Sequence, residues 1–441
     1  MRVEELKRIL VSQREEMLEF MEHERIIPRE AEESARSLLA TPNVLAILGV
    51  RRSGKSVMAW RLAGNKFLYV NFFDERLTGF TSRDFERLLN ASRELWGEID
   101  FVVLDEVQEV EGWERFVSRL RLNKRVIVTG SSSRLLSGEL ATYLTGRHFS
   151  ITLYPFSFRE FLSFRGVGLS KEWEYSDREV SRVKRLLEEY LSIGGFPEAL
   201  KFGRIYLNQI YRDVVEKDVI LRHGIRHRSA LRELALYLLS NYSSEFTYSK
   251  LGSIVGLKDV HTVRDYVSYL EDAYLIFQLR RFSFKPKGQL LAPRKVYPVD
   301  TGLATAMSLK SHPSRGKLIE LAVFLELKRQ LSYSLTQGEL FYWRDEKGEV
   351  DFILRADGML PIQVTFSLDG TSDRELGNLF RVAKALRVKR GLVVTWEDEE
   401  KLVKDGVKIE VVPLWRFLTA HSLITTHLSP LSTTASTSPR L

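Results

Sequence analysis

Residues 49–56 read Gly49-Val50-Arg51-Arg52-Ser53-Gly54-Lys55-Ser56, two glycines five positions apart followed by lysine and serine. The string lies between an apolar run, Leu45–Leu48, that reads as a strand and a stretch from Lys55 that reads as a helix, which is the setting a phosphate loop requires. Its glycines let backbone N–H groups turn inward around phosphates, and the helix N-terminus adds partial positive charge. Lys55 is then expected to reach the β and γ oxygens and the Ser56 hydroxyl to ligate magnesium. Gly49, Arg52, Ser53, Gly54, Lys55, Ser56 and Val57 are the expected nucleotide-binding residues.

About fifty residues downstream, Phe101-Val102-Val103-Leu104-Asp105-Glu106 is an apolar strand ending in two carboxylates. Asp105 is expected to hold magnesium through water, and Glu106 to orient and deprotonate the water that attacks the γ-phosphate. A surface Asp-Glu pair is the competing reading, made weak by strand context and order. A third strand, Val126–Thr129, places Thr129 or Ser131 as a polar sensor of the γ-phosphate. Arg147, in the segment LTGR, is expected either to contact that phosphate in cis or to reach a neighbouring subunit's nucleotide; a solvated arginine remains the bland alternative.

Outward from these motifs, VLAILGV, KFLYVNFF, IDFVVLDEV, KRVIVTG and HFSITLYPF alternate with helical stretches, so a parallel sheet with helices on both faces is expected. Residues 3–40 carry apolar side chains at three- and four-residue spacing, interrupted at Pro28, and read as a helical arm. Residues 171–228 read as a charged helical lid broken at Gly194-Gly195-Phe196-Pro197. Three helices and a hairpin over 229–296 read as a winged helix-turn-helix. Strands and helices alternate again from Tyr297 to Leu418, and the Ser/Thr/Pro-rich remainder reads as a disordered tail. Expected domain limits are 1–40, 41–165, 166–228, 229–296, 297–418 and 419–441.

Composition narrows the classes. The 441 residues are 44% apolar, ample for several cores at roughly 150 residues per domain. No run approaches the roughly 18 consecutive apolar residues of a membrane span, so no membrane partner and a cytoplasmic setting are expected. Without cysteine, disulfides, thiolate zinc sites and cysteine nucleophiles are excluded. The net charge of +8 favours an acidic partner.

The stretches VLAILGVRRSGKS, FVVLDEVQEVEGWE, VIVTGSSSRLLSGELATYLTGR, LYPFSFREF and LSIGGFPEAL together resemble the archaeal and bacterial ATPases of the AAA+ superfamily that carry a C-terminal nuclease-like domain. The likeness continues through YRDVVEKDVI, YPVDTGLA and GEVDFIL to PLWRFL. It implies an α/β protein with a P-loop AAA-type core, a winged helix and a restriction-endonuclease-like domain, using ATP with Mg2+. GEVDFIL and PIQVTFS resemble the nuclease site of that fold, with Asp351 and Glu320 as the second metal site the resemblance implies. Gln363 stands where the resemblance implies a carboxylate and Thr365 where it implies lysine, so the site reads as degraded, with Lys328 as a candidate migrated cation.

DNA is the expected partner of the winged module: Thr262 and Arg264 lie on the outer face of its third helix, and Arg280, Arg281, Lys285 and Lys287 form a cationic wing without acidic residues. The alternatives are a switch ATPase with a protein partner or homo-oligomer, and an ATP-gated nuclease. If the four wing cations grip phosphates, DNA affinity titrated against salt should fall with a log–log slope of roughly −3 to −4, and reversing their charges should flatten it. An unchanged slope after charge reversal would reduce the wing to a solvated face.

Overall fold

The apolar run Val44–Leu48 forms β1 and is buried along its whole length, as a strand covered on both faces must be. In this computed structural model, which describes residues 1–131, 144–309, 314–335, 337–369 and 373–420, β1 lies inside a five-stranded sheet with β2 (Leu68–Asn71), β3 (Phe101–Asp105), β4 (Arg125–Gly130) and β5 (His148–Thr152). The strand order is β2-β3-β4-β1-β5 and every pairing is parallel. Because all strands run the same way, the turns leaving β1, β3 and β4 open on one carboxyl edge. Gly49, Glu106 and Ser131 are the residues that follow them there.

Residue contacts group the chain into two units, Met1–Leu279 with Pro293–Leu335, and Arg280–Ala292 with the chain from Thr336 onward. In the first unit the N-terminal arm is not a free extension. Helix α1 (Val3–His23) buries Leu6, Ile9 and Leu10, and its Gln13 amide pairs in both directions with the Asn71 backbone, at 3.0 and 2.9 Å, covering the edge strand β2. Helix α2 (Ala31–Leu39) is tied to the phosphate-loop helix α3 (Lys55–Ala63) by Glu32, which accepts from Arg61 at 2.6 Å.

The first unit continues through helices Asp177–Ile193, Pro197–Phe202 and Arg204–Asp213 into a π-helical stretch, Val214–Leu221. There follow helix Arg228–Ser240, β6 (Ser244–Phe246), helices Tyr248–Ile254 and Val260–Asp272, β7 (Ile276–Arg281) and β8 (Arg294–Pro298); the connection between the last two is not the expected plain hairpin but contains the short helix Pro286–Leu291, which begins after Lys285 and includes Lys287. Strand β8 lies between β7 and β6, antiparallel to the latter.

In the second unit the strands are β9 (Glu339–Asp345), β10 (Gly348–Arg355), β11 (Met359–Val364), β12 (Arg390–Thr395), β13 (Glu400–Lys404) and β14 (Val407–Pro413), in the order β13-β14-β12-β11-β10-β9. Residues Arg280 and Arg281 register with Phe341 and Tyr342 of β9. The division departs from the expected limits at 296 and 297. Phe282, from the expected wing, is buried in the second unit's core with Phe341, Val350 and Ile353, while helix Arg315–Tyr333, expected in the C-terminal domain, belongs to the first unit. The expected tail, from 421 onward, lies outside the described residues, as do Ser132 and Ser133.

Two segments distant in sequence, LSIGGFP and YPVDTG, close on each other in the first unit. The Asp300 carboxylate accepts the Gly195 N–H at 2.7 Å and the Leu303 N–H at 2.9 Å. Glycine is required at this crossing: a Cβ on Gly194, whose φ is +82°, would stand 2.0 Å from Asp300 Oδ1, and one on Gly302 would stand 1.9 Å from the Ile193 carbonyl. Burial pushes the Asp300 carboxyl up to about 6, with the backbone N–H groups opposing that rise. A folded-state value above the unfolded one means that the native state binds the extra proton. Stability from this group is therefore complete at low pH and is lost as pH rises through about 6. Asp300→Asn should remove this dependence, flattening the urea-midpoint profile between about pH 4 and 6, where the wild type loses about 3 kcal/mol.

Candidate nucleotide site

The loop after β1 is held from both sides. Gly49, at φ +140°, passes so close to β5 that an added Cβ would lie 2.2 Å from the Leu153 carbonyl oxygen. Gly54, at φ +94°, caps α3, and Arg52 between them takes a left-handed φ of +66°, an uncommon conformation for a residue with a Cβ. The buried Arg29 closes the other side: its guanidinium donates to the Ser53 carbonyl at 2.8 Å, the Tyr154 carbonyl at 2.7 Å and the Glu160 carboxylate at 3.0 Å.

Within this frame Lys55 is almost wholly buried, and its ammonium donates to the Gly49 and Val50 carbonyls, each at 3.1 Å. Burial lowers its pKa, while Glu106, 3.9 Å away, and Asp105 act in the other direction. The Ser53 hydroxyl is buried with no hydrogen-bond partner, an orphaned polar group within the loop. Val57 sits in the first turn of α3, where backbone N–H groups have no helical acceptor.

The two carboxylates after β3 have separate environments. Asp105 accepts from the Tyr69 hydroxyl at 2.9 Å and from the Thr129 hydroxyl, and the Ser56 hydroxyl lies close by. Burial, then the charge of Glu106, pushes its carboxyl up. Glu106 is turned off the strand by a left-handed φ of +50°, and its N–H donates to Thr129 Oγ1 at 3.1 Å. Burial opposes ionisation of Glu106, yet Lys55, the Gln108 amide, Arg51 and Arg222 together hold its carboxyl below the ordinary value. Ionised, it is an acceptor suited to orienting a water.

The Ser56 hydroxyl and the Asp105 carboxylate, close to each other, form an oxygen donor set that fits Mg2+, which takes one or two protein ligands and fills its shell with phosphates and water. Among the described residues no group of three or more His, Asp or Glu side chains gathers as a metal cluster.

Three expectations change. Thr129 spends its hydroxyl on Asp105 and the Glu106 N–H, so it positions that pair; the buried, unpartnered hydroxyl beside it belongs to Ser131. Arg147 is exposed, and its carbonyl accepts from Val44 at 3.0 Å, at the start of β1. The loop lies beyond the other end of that five-residue strand, a rise of ~16 Å, so Arg147 has no cis contact with the nucleotide edge. Arg52 turns its side chain away from the loop, to Tyr206, Glu198 and Asp213.

The remaining predicted residues fall elsewhere. In the first unit, Arg264 is exposed on helix Val260–Asp272, whereas the Thr262 hydroxyl donates to the capping carboxylate Asp259 at 2.7 Å and is spent on that cap. Glu320 accepts from Lys295 at 2.9 Å and Tyr297 at 2.6 Å, and Lys328 lies over Phe277 in the field of Glu271. In the second unit, Arg280, Lys285 and Lys287 are exposed and Arg281 is half-buried, while Asp351 accepts from the Gln363 amide and the Val364 N–H, each at 2.9 Å. Glu320 is thus held by a lysine and a tyrosine and Asp351 by its neighbouring strand. Sequence reading missed the roles of Arg29, Tyr69, Arg51 and Asp218, although Arg51 lay in the phosphate-loop string and Asp218 in YRDVVEKDVI.

This fold and edge define a P-loop ATPase domain of the AAA type, and a family model described as AAA domain matches residues 41–162. Two domains of unknown function match residues 184–314 and 315–417. An uncharacterized protein of Methanocaldococcus jannaschii is 32% identical over 425 residues, covering 91% of this chain and 92% of that one. An uncharacterized protein of Haemophilus influenzae is 32% identical over 397 residues, covering 85% and 94%. The chain belongs to the same family as these two proteins. A solved structure described as a Walker-type ATPase of Pyrococcus abyssi is similar at 15% identity with a TM-score of 0.41, covering 64% of this chain and 99% of that one. Among the described residues no helix is long and apolar enough to cross a membrane.

Arg29→Ala should destabilise the protein by about 3–5 kcal/mol in denaturant titration, because it strands the buried Glu160 and two carbonyls. Arg29→Lys should recover only part of this, since an ammonium lacks the planar fork that reaches all three acceptors.

Proposed function

We propose that the chain binds ATP with Mg2+ at the carboxyl edge of the five-stranded sheet, hydrolyses it, and uses its nucleotide state to control binding of DNA. The observation that carries the first part is the convergence of Lys55, Ser56, Asp105 and Glu106 on one buried edge. Lys55 leaves the loop carbonyls for the β and γ oxygens, Ser56 and Asp105 hold the metal, Glu106 orients the attacking water, and Thr129 fixes the two carboxylates relative to each other. A role for Arg147 requires a second copy of the chain.

The DNA reading rests on the helix–strand–helix–helix–strand order of residues 228–281, followed after the short helix Pro286–Leu291 by β8, an order that supports a winged helix, and on exposed Lys258, His261 and Arg264 on either side of the Asp259 cap. The exposed Arg280, Lys285 and Lys287 belong to the second unit and are read as phosphate contacts of that unit by itself. The C-terminal unit, with Asp351 engaged by Gln363 and Val364, serves as a structural or nucleic-acid-binding remnant of a nuclease fold. Magnesium-dependent cleavage lost in Asp351→Ala would reverse that last assignment.

Phosphate release measured with and without DNA tests the whole. Lys55→Ala should abolish nucleotide binding, and Glu106→Gln should bind ATP while turnover falls at least about 100-fold. A Lys55→Ala protein that hydrolyses ATP like wild type would end the assignment.

A further inference from the structure

The phosphate loop carries two adjacent arginines, and neither points at the space the loop encloses. Arg51 makes a two-pronged bond to Asp218, Nε to Oδ2 at 3.0 Å and Nη2 to Oδ1 at 2.9 Å. Arg52 reaches Asp213 at 3.8 Å. Both carboxylates are buried, and both sit at the π-helical stretch Val214–Leu221, Asp213 immediately before it and Asp218 within it.

The winding explains the pairing. At 3.6 residues per turn, positions five apart lie well round the helix from each other, whereas hydrogen bonds closed from i to i+5 bring them one above the other. The π stretch therefore presents Asp213 and Asp218 on one side, in register with the consecutive side chains of Arg52 and Arg51. A π winding is intrinsically unfavourable and is found where a function retains it.

A second cation shares the arrangement. Arg222, at the end of the π stretch, stands 3.7 Å from Asp218 and 3.9 Å from Glu109, and its Nη1 is buried with no partner. Arg51, Asp218, Arg222, Gln108, Phe73 and Leu221 border an open groove of about 880 Å3. Gln108, whose amide donates to the Glu106 carboxylate, borders the same groove, so Arg51 and Arg222 flank the end of the site where a γ-phosphate belongs.

We propose that Arg51 is the residue that distinguishes a nucleoside triphosphate from a diphosphate, and that Asp218 on the π-wound stretch is the counter-ligand from which the terminal phosphate takes it. This rests on the nucleotide reading above. Without a γ-phosphate, Arg51 closes on Asp218 and the π winding is held. With one, the guanidinium has a second, more highly charged acceptor, Asp218 loses its bidentate partner, and Arg222 becomes its remaining neighbour. The triphosphate thereby loosens the stretch that joins the loop to the helices of residues 204–240. The shift is bounded by the difference in affinity of Arg51 for the two acceptors.

The test titrates the full chain, with Mg2+, against ADP and against a β,γ-methylene triphosphate analogue. Asp218→Asn should tighten the triphosphate analogue by about tenfold and leave ADP within about twofold, because a charge-assisted competitor has been removed. Arg51→Ala should weaken the analogue by about tenfold and spare ADP. Hydrogen exchange supplies a readout on the wild type alone: amides of residues 214–222 should exchange faster with the analogue than with ADP. The inference is overturned if Asp218→Asn leaves the triphosphate-to-diphosphate ratio unchanged, if Arg51→Ala weakens both nucleotides equally, or if exchange ignores the γ-phosphate. Should Asp218→Asn fail to fold, the arginine variant and the exchange decide. Wild-type protein that binds neither nucleotide would overturn the nucleotide reading itself.

Discussion

One buried guanidinium holds the nucleotide edge in shape. Arg29 lies outside every recognisable motif, yet its three donors reach the carbonyl of Ser53 in the phosphate loop, the carbonyl of Tyr154 beyond β5 and the carboxylate of Glu160. A phosphate loop is a run of backbone whose N–H groups point inward, so its carbonyls point outward and need donors there. Arg29 supplies one, and Lys55 supplies two more. The cost of burying the guanidinium is offset because its charge meets Glu160, whose other oxygen accepts the Ser157 N–H at 2.9 Å.

The same logic extends through the first unit. Glu30 and Glu326 share Arg159, and Arg329 donates to the Pro155 and Phe156 carbonyls and to the Tyr190 hydroxyl. Tyr190 in turn donates to Phe156, whose N–H is paired with Gly195 at the crossing that Asp300 clamps. These bonds connect α2's entry, the segment after β5, the glycine turn and helix Arg315–Tyr333. Glu326 and Arg329 are buried and Glu30 and Arg159 half-buried, each beside an opposite charge, and such networks favour one arrangement of the packed elements over others because a half-satisfied alternative leaves a charge unpaired.

At the site itself, electrostatics divides the labour between two adjacent carboxylates. Asp105 faces hydroxyls from Tyr69, Thr129 and Ser56, and burial raises its pKa; Glu106 faces four positive or donor groups, which hold its carboxyl below the ordinary value. The left-handed turn at Glu106 makes this possible, because two residues in extended strand conformation would point to opposite faces.

The sequence alone determined the class and the core of the site. The spacing of Gly49, Gly54 and Lys55, the strand ending in Asp105-Glu106, and alternating apolar runs are local patterns, and local patterns are what backbone geometry and side-chain period write into a sequence. Tertiary structure alone decided the rest. Arg147 fell at the wrong end of its strand because strand direction, not proximity in a motif, sets which edge a residue occupies. Thr262 went to a helix cap, Lys295 and Glu320 to each other, and Phe282 drew the cationic segment into the second unit's core. Arg29, Arg51 and Asp218 gained their roles from partners 24 to 167 positions away. A charged residue carries the same signature in sequence whether it is solvated or clamped; its partner, and therefore its function, exists only once the chain has folded.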